Sequence, residues 1–161
     1  MKEYPDIRPQ RWGFFLRQLV KSFQKYIIKV MTQKEVVAFW KQSSDKDWEF
    51  SQEIYVGGKR YDYVLFFVHL SLEKLLKAIQ YHRKDSHPLA IHDLVELSKR
   101  AEIEMSQSQV ADLKEISSFN LSARYDDYKK NFYKKANKVY TDLWLQKATG
   151  IRILLISYLA L

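Results

Sequence analysis

The chain contains no cysteine, which excludes a disulfide framework and a thiolate metal cluster and suits a reducing compartment, so the expected location is cytoplasmic. Glycine is scarce, four in all with two of them adjacent at Gly57-Gly58, and no Gly-rich loop is available to cradle a phosphate. Serines and threonines occur without a Gly-x-Ser-x-Gly elbow, and no two of His69, His82, His87 and His92 stand at i,i+4 as the histidines of a zinc-protease helix do. Hydrolase triads and metal catalysis therefore have no footing, and no metal or cofactor is expected. No apolar run spans a bilayer, because the tail 153–161 is too short and Lys147 and Arg152 interrupt what precedes it. Acidic residues are the scarcer charge, 19 against 27 basic ones, giving a net charge of +8 and a pI near 9.5. An anionic partner is implied: nucleic acid, nucleotide or an acidic protein.

With 161 residues the chain accommodates one domain and an extension. The extension is read as 1–31 and the domain as 32–161. Residues 1–30 carry Lys2, Arg8, Arg11, Arg17, Lys21, Lys25 and Lys29 against Glu3 and Asp6, which is +5 of the total +8. Trp12, Phe15, Leu16, Leu19, Phe23, Ile27 and Val30 recur at three- and four-residue spacing, an amphipathic helix with Pro9 near its start. Arg17 and Gln18 cut the apolar run and no small-residue cleavage site comes after it, so it is not read as a secretory signal. Its apolar face fits docking on the domain or on a second copy, its composition also fits a membrane surface or a phosphate-binding arm, and Met31 is an alternative start.

From Thr32 onward the spacing predicts helices joined by short connections. Thr32 and Glu35 fit a capping box for a helix from Gln33, with Ser43-Ser44 loosening or restarting it, and Gly57-Gly58 stops the next stretch. Residues 61–83 are apolar nearly all round, as in the centre of a bundle. The polar exceptions His69, Glu73, Lys77 and Gln80 fall close to one line along that helix. Read alone, Glu73 and Lys77 are an ordinary i,i+4 pair and His69 satisfies itself locally. A short helix over 90–99 comes next, then helical spacing over 106–121, and a last helix from near Lys138 to the C-terminus. The fold class is all-α: an antiparallel bundle of four to five main helices.

Three signatures stand in order: Glu73-Lys74-Leu75-Leu76-Lys77, His92-Asp93-Leu94 and Ala123-Arg124-Tyr125-Asp126-Asp127-Tyr128. Together with Trp40, Asp47-Trp48 and Ser51 they resemble the HEPN family of small helical nucleotide-binding or RNA-acting domains, over roughly residues 33–155. The resemblance implies that His-Asp-Leu opens a helix, with Asp93 at its positive end and His92 bonded across to a neighbouring element. It further implies a nucleotide- or RNA-binding edge built from Arg124, Tyr125 and Tyr128 with Lys74, Lys77 and Glu73. An Arg fork matches phosphate oxygens and a Tyr stacks on a base. Such proteins often form homodimers and are often encoded beside a minimal nucleotidyltransferase, as toxin and antitoxin or as two subunits of one activity.

Members that cleave RNA carry a His four to six residues after the Arg. Here Tyr128, Lys129 and Lys130 occupy that window and no histidine does. General acid–base work on RNA needs a group titrating near neutrality, so the leading expectation is a binding protein with a nucleotidyltransferase partner. Two alternatives stand beside it. One is a metal-independent ribonuclease with an atypical site, Arg124 its weak catalytic candidate, to which the fold brings His69 or His92. The other is a non-catalytic protein-interaction or membrane-surface subunit.

Overall fold

The computed structural model describes residues 31–85, 90–124 and 126–159, and the backbone alone of 121–124 and 126–130. The chain divides into two units, Met1–Thr32 and Gln33–Leu161, and the second holds every described helix. The amphipathic segment expected over 1–30 lies outside the described residues, as does His87.

Six helices make up the described residues, with no strand among them: α1 (Gln33–Val56), α2 (Tyr61–Lys84), α3 (Leu94–Arg100), α4 (Gln107–Arg124), α5 (Asp126–Lys135) and α6 (Lys138–Ser157). α2 is the centre, as its all-round apolar pattern requires, with Leu65, Val68, Leu72, Leu75, Leu76 and Ile79 wholly buried. The long helices alternate in direction around it. α1 and α2 form a hairpin through the turn at 57–60, where Gly58 takes φ +66, open to glycine without Cβ strain. Arg60 is also left-handed there, and its guanidinium clasps Asp62 at 3.1 and 2.9 Å and lies 3.9 Å from the Tyr63 ring.

α4 runs antiparallel to α2, since the chain entering it meets Arg83 through the carbonyls of Ala101 and Glu102 while Ile116 meets His69. α6 runs parallel to α2 and antiparallel to α1: Asp142 bonds Tyr55 near the hairpin turn, and Tyr158 lies 5.0 Å from the Arg83 guanidinium at the far end. Phe119 closes the core, with Phe132, Trp144 and Tyr140 ring centroids 5.5, 5.7 and 6.3 Å away. No helix among the described residues is long and apolar enough to cross a membrane.

Local signals set the helix starts. Ser106 and Gln109 form a reciprocal capping box at α4, and the Asn137 side chain accepts from the Tyr140 amide at α6. One expectation is corrected: Ser43-Ser44 does not loosen or restart a helix, because α1 is continuous over 24 residues. The Ser44 hydroxyl donates to the Ser71 carbonyl of α2 at 2.8 Å instead of competing for its own backbone. Arg152 of α6 then donates to the Ser44 and Ser71 hydroxyls and to Asp45, its guanidinium 5.2 Å from the Trp48 ring. Small side chains at 44 and 71 thus let three helices meet around one buried cation.

Candidate functional site

Midway along α2, successive turns place His69, Glu73 and Lys77 above one another on the side that α3 and α4 cover. Glu73 is the hub. Its Oε1 accepts from Lys77 Nζ at 2.6 Å, and its Oε2 receives His69 Nε2 at 3.1 Å and His92 Nδ1 at 2.9 Å. His69 has no exposed surface, and its Nδ1 meets the carbonyl of Ile116 in α4 at 3.1 Å. A carbonyl only accepts, so Nδ1 donates there; Nε2 faces a carboxylate, which also accepts.

Burial raises the Glu73 carboxyl, but the His69 hydrogen bond, the Lys77 charge and hydrogen bond and the His92 hydrogen bond together outweigh it and hold the group down at about 2. Glu73 is therefore a carboxylate at neutral pH, and His92 carries a hydrogen on the Nδ1 that faces it. The His92 ring stays half exposed, 47 % of its side chain in solvent. Asp93 accepts from the Glu96 amide at 2.9 Å and caps α3, and the Leu94 amide reaches Ser117 Oγ of α4 at 3.0 Å. The His-Asp-Leu tripeptide thereby joins α2, α3 and α4, each residue by a different bond.

Two expectations change. Glu73 and Lys77 are not an ordinary surface pair, being 5 % and 7 % exposed, and a pair this buried is costly to break from one side. His69 does not satisfy itself locally: it reaches another helix. Lys74 is not bonded to these four residues and pairs with Asp47 of α1 at 2.6 Å, while Lys77 also lies 5.7 Å from the Trp40 ring of α1. Arg124 is the last residue of α4, Tyr128 lies in α5, and Tyr125 lies outside the described residues. The side chains of all three lie outside the described residues. Along α4 the Arg124 backbone stands eight residues past Ile116, about 12 Å at helical rise, toward the hairpin end of α2. The quartet and the Arg124 corner are thus two places along one helix pair.

The Arg152 cluster was not foreseen as a site, since Ser44 and Ser71 carry no mark in sequence beyond small size, and its saturation with internal bonds makes it a joint of the fold.

A family profile described as HEPN domain matches residues 37–150, more than half of the chain. Comparison with curated proteins and with solved structures gives no significant match.

Proposed function

Because the chain belongs to the HEPN domain family, we propose that it is a nucleotide- or RNA-binding protein of the cytoplasm that works as a homodimer beside a minimal nucleotidyltransferase and does not itself cut RNA. The observation that carries this reading is the engagement of Glu73 by Lys77 and by two histidines, with Glu73, Lys77 and His69 buried. Contacts to an anionic ligand then fall to the α4–α5 corner. There the sequence sets Arg124, Tyr125, Tyr128, Lys129 and Lys130, with an exposed Tyr133 and Lys134 further along α5. A rigid Arg fork, lysines and tyrosines together are what phosphate and base contacts use.

Titration with labelled ATP and with a short RNA tests it: the wild type binds at least one of them, and Arg124→Ala weakens that binding about tenfold or more, the loss of one charge-assisted contact. Binding of neither ligand, with capture of a protein partner intact, supports the interaction-subunit alternative instead.

One observation favours the ribonuclease reading. His92 is the half-exposed histidine whose Nδ1 is fixed on a carboxylate, leaving Nε2 as the ring's other nitrogen. If cleavage occurs, His92→Asn abolishes it while leaving the far-UV circular dichroism unchanged; RNA that stays intact with wild-type protein removes this reading.

A further inference from the structure

α4 turns one line of its residues inward. Leu113, Ile116 and Asn120 follow one another at spacings of three and four, so they share the face that meets α2, where the Ile116 carbonyl reaches His69. Leu113 and Ile116 are wholly buried, and Asn120 is 4 % exposed. An amide therefore stands where the inward line of the helix calls for an aliphatic side chain, and asparagine is a weak helix former in a helix interior.

His69, Glu73, Ser44 and Ser71, polar residues buried as deeply, all have partners. Asn120 differs: its side-chain oxygen is buried with no hydrogen-bond partner among the described residues, the one such atom on α4. An amide buried unpaired lowers stability, so its place on this face asks for a partner from outside the chain. Position says which. Arg124 stands four residues further along α4, and residues at i and i+4 lie on one side of a helix with Cβ atoms about 5–6 Å apart. A ligand whose phosphate is held at Arg124 brings to Asn120 the groups that lie that close to the phosphate. At 4 % exposure only a small group reaches the amide, a hydroxyl and not a base. The amide both accepts and donates, and the ribose 2′-hydroxyl, on the carbon next to the 3′-phosphate, does the same in return.

We infer that Asn120 is a specificity-determining residue of the Arg124 site: it bonds the ribose 2′-hydroxyl of a nucleotide whose 3′-phosphate lies at Arg124, and so distinguishes RNA from DNA. The inference rests on the reading of Arg124 as a phosphate contact and adds to it the class of sugar. It has a signature in stability as well as in binding. A side chain retained for a ligand, and unpaired without one, serves the free fold less well than an aliphatic residue of similar shape.

The test compares binding of a short single-stranded RNA with binding of a DNA of the same sequence carrying uracil for thymine, so that only the 2′-hydroxyls differ, and adds thermal unfolding of the free full chain. The wild type is expected to prefer the RNA by about tenfold, as one hydrogen bond to an otherwise unpaired group allows. Asn120→Leu binds RNA and DNA equally, at the level of the DNA, and melts no lower than the wild type. Asn120→Ala, which adds no bulk, loses the preference too, whereas Arg124→Ala weakens RNA and DNA alike. A preference for RNA that survives in both Asn120 variants overturns the inference, as does a wild type that depends on Arg124 yet binds the two nucleic acids equally; the phosphate reading then stands. A melting temperature several degrees lower in Asn120→Leu also overturns it, because the amide is then serving the fold. Binding of ATP through Arg124 with neither nucleic acid bound removes the inference alone, and binding of none of the three removes the phosphate reading with it.

Discussion

Glu73 is the residue on which three helices depend, and its chemistry predicts more than its position. Replacing it with Ala leaves Lys77 and His69 buried without their carboxylate, so Glu73→Ala is expected to cost about 3–5 kcal/mol in denaturant unfolding. A surface pair would cost under about 1 kcal/mol, so the measurement separates the two situations. The carboxyl, held at about 2 against its ordinary 4.5, also sets a pH window. As pH falls below 4.5 the unfolded chain takes up this proton first, so the contribution of Glu73 is full above that value and is lost as pH falls toward 2, amounting to roughly 3 kcal/mol at most. Unfolding free energy measured from about pH 6 down to about pH 3 should decline, and less steeply in Glu73→Gln than in the wild type; equal slopes would contradict the assignment. The line of His69, Glu73, Lys77 and Gln80 was legible in sequence because polar residues stand out on an apolar helix. The partner of His69 was not, since a backbone carbonyl in another helix, that of Ile116, leaves no mark in the sequence.

At the scale of elements, helix ends were readable and helix contacts were not. Gly57-Gly58, Asp93 and the start near Lys138 reflect turn and cap chemistry that acts within a few residues. Ser44 misled because a serine in mid-helix reads as a weakness until the helix beside it is known. Its hydroxyl sits wholly buried between Ser71 and Arg152, so Ser44→Leu is expected to overpack the α1–α2 contact and destabilise by about 1–3 kcal/mol, with Ser44→Ala milder. Thermal unfolding of the two variants checks the order. Asp93→Ala removes the cap of α3 and is expected to cost about 1 kcal/mol. In that variant faster amide exchange should concentrate in 94–100, and exchange spread evenly over the chain would contradict a local role.

For the whole molecule, the bundle and its family were legible, the bundle because apolar periodicity repeats along the chain and the family because three short signatures stand in a fixed order. The partner of Lys74 was not legible, since Asp47 stands 27 residues away in another helix. The chain carries a surplus of basic charge, +8 overall with +5 of it in residues 1–30, and the central carboxylate of the bundle is already paired with Lys77. That surplus is the physical basis for an anionic ligand, and its signature is counterion release. The most direct measurement is the affinity of the full chain for a short single-stranded RNA across a series of salt concentrations, with Arg124→Ala beside it. The expected result is a straight fall of log affinity with log salt, shallower by about 0.7 in the variant for the one lost phosphate contact. No binding, or binding indifferent to salt and to Arg124, would contradict it.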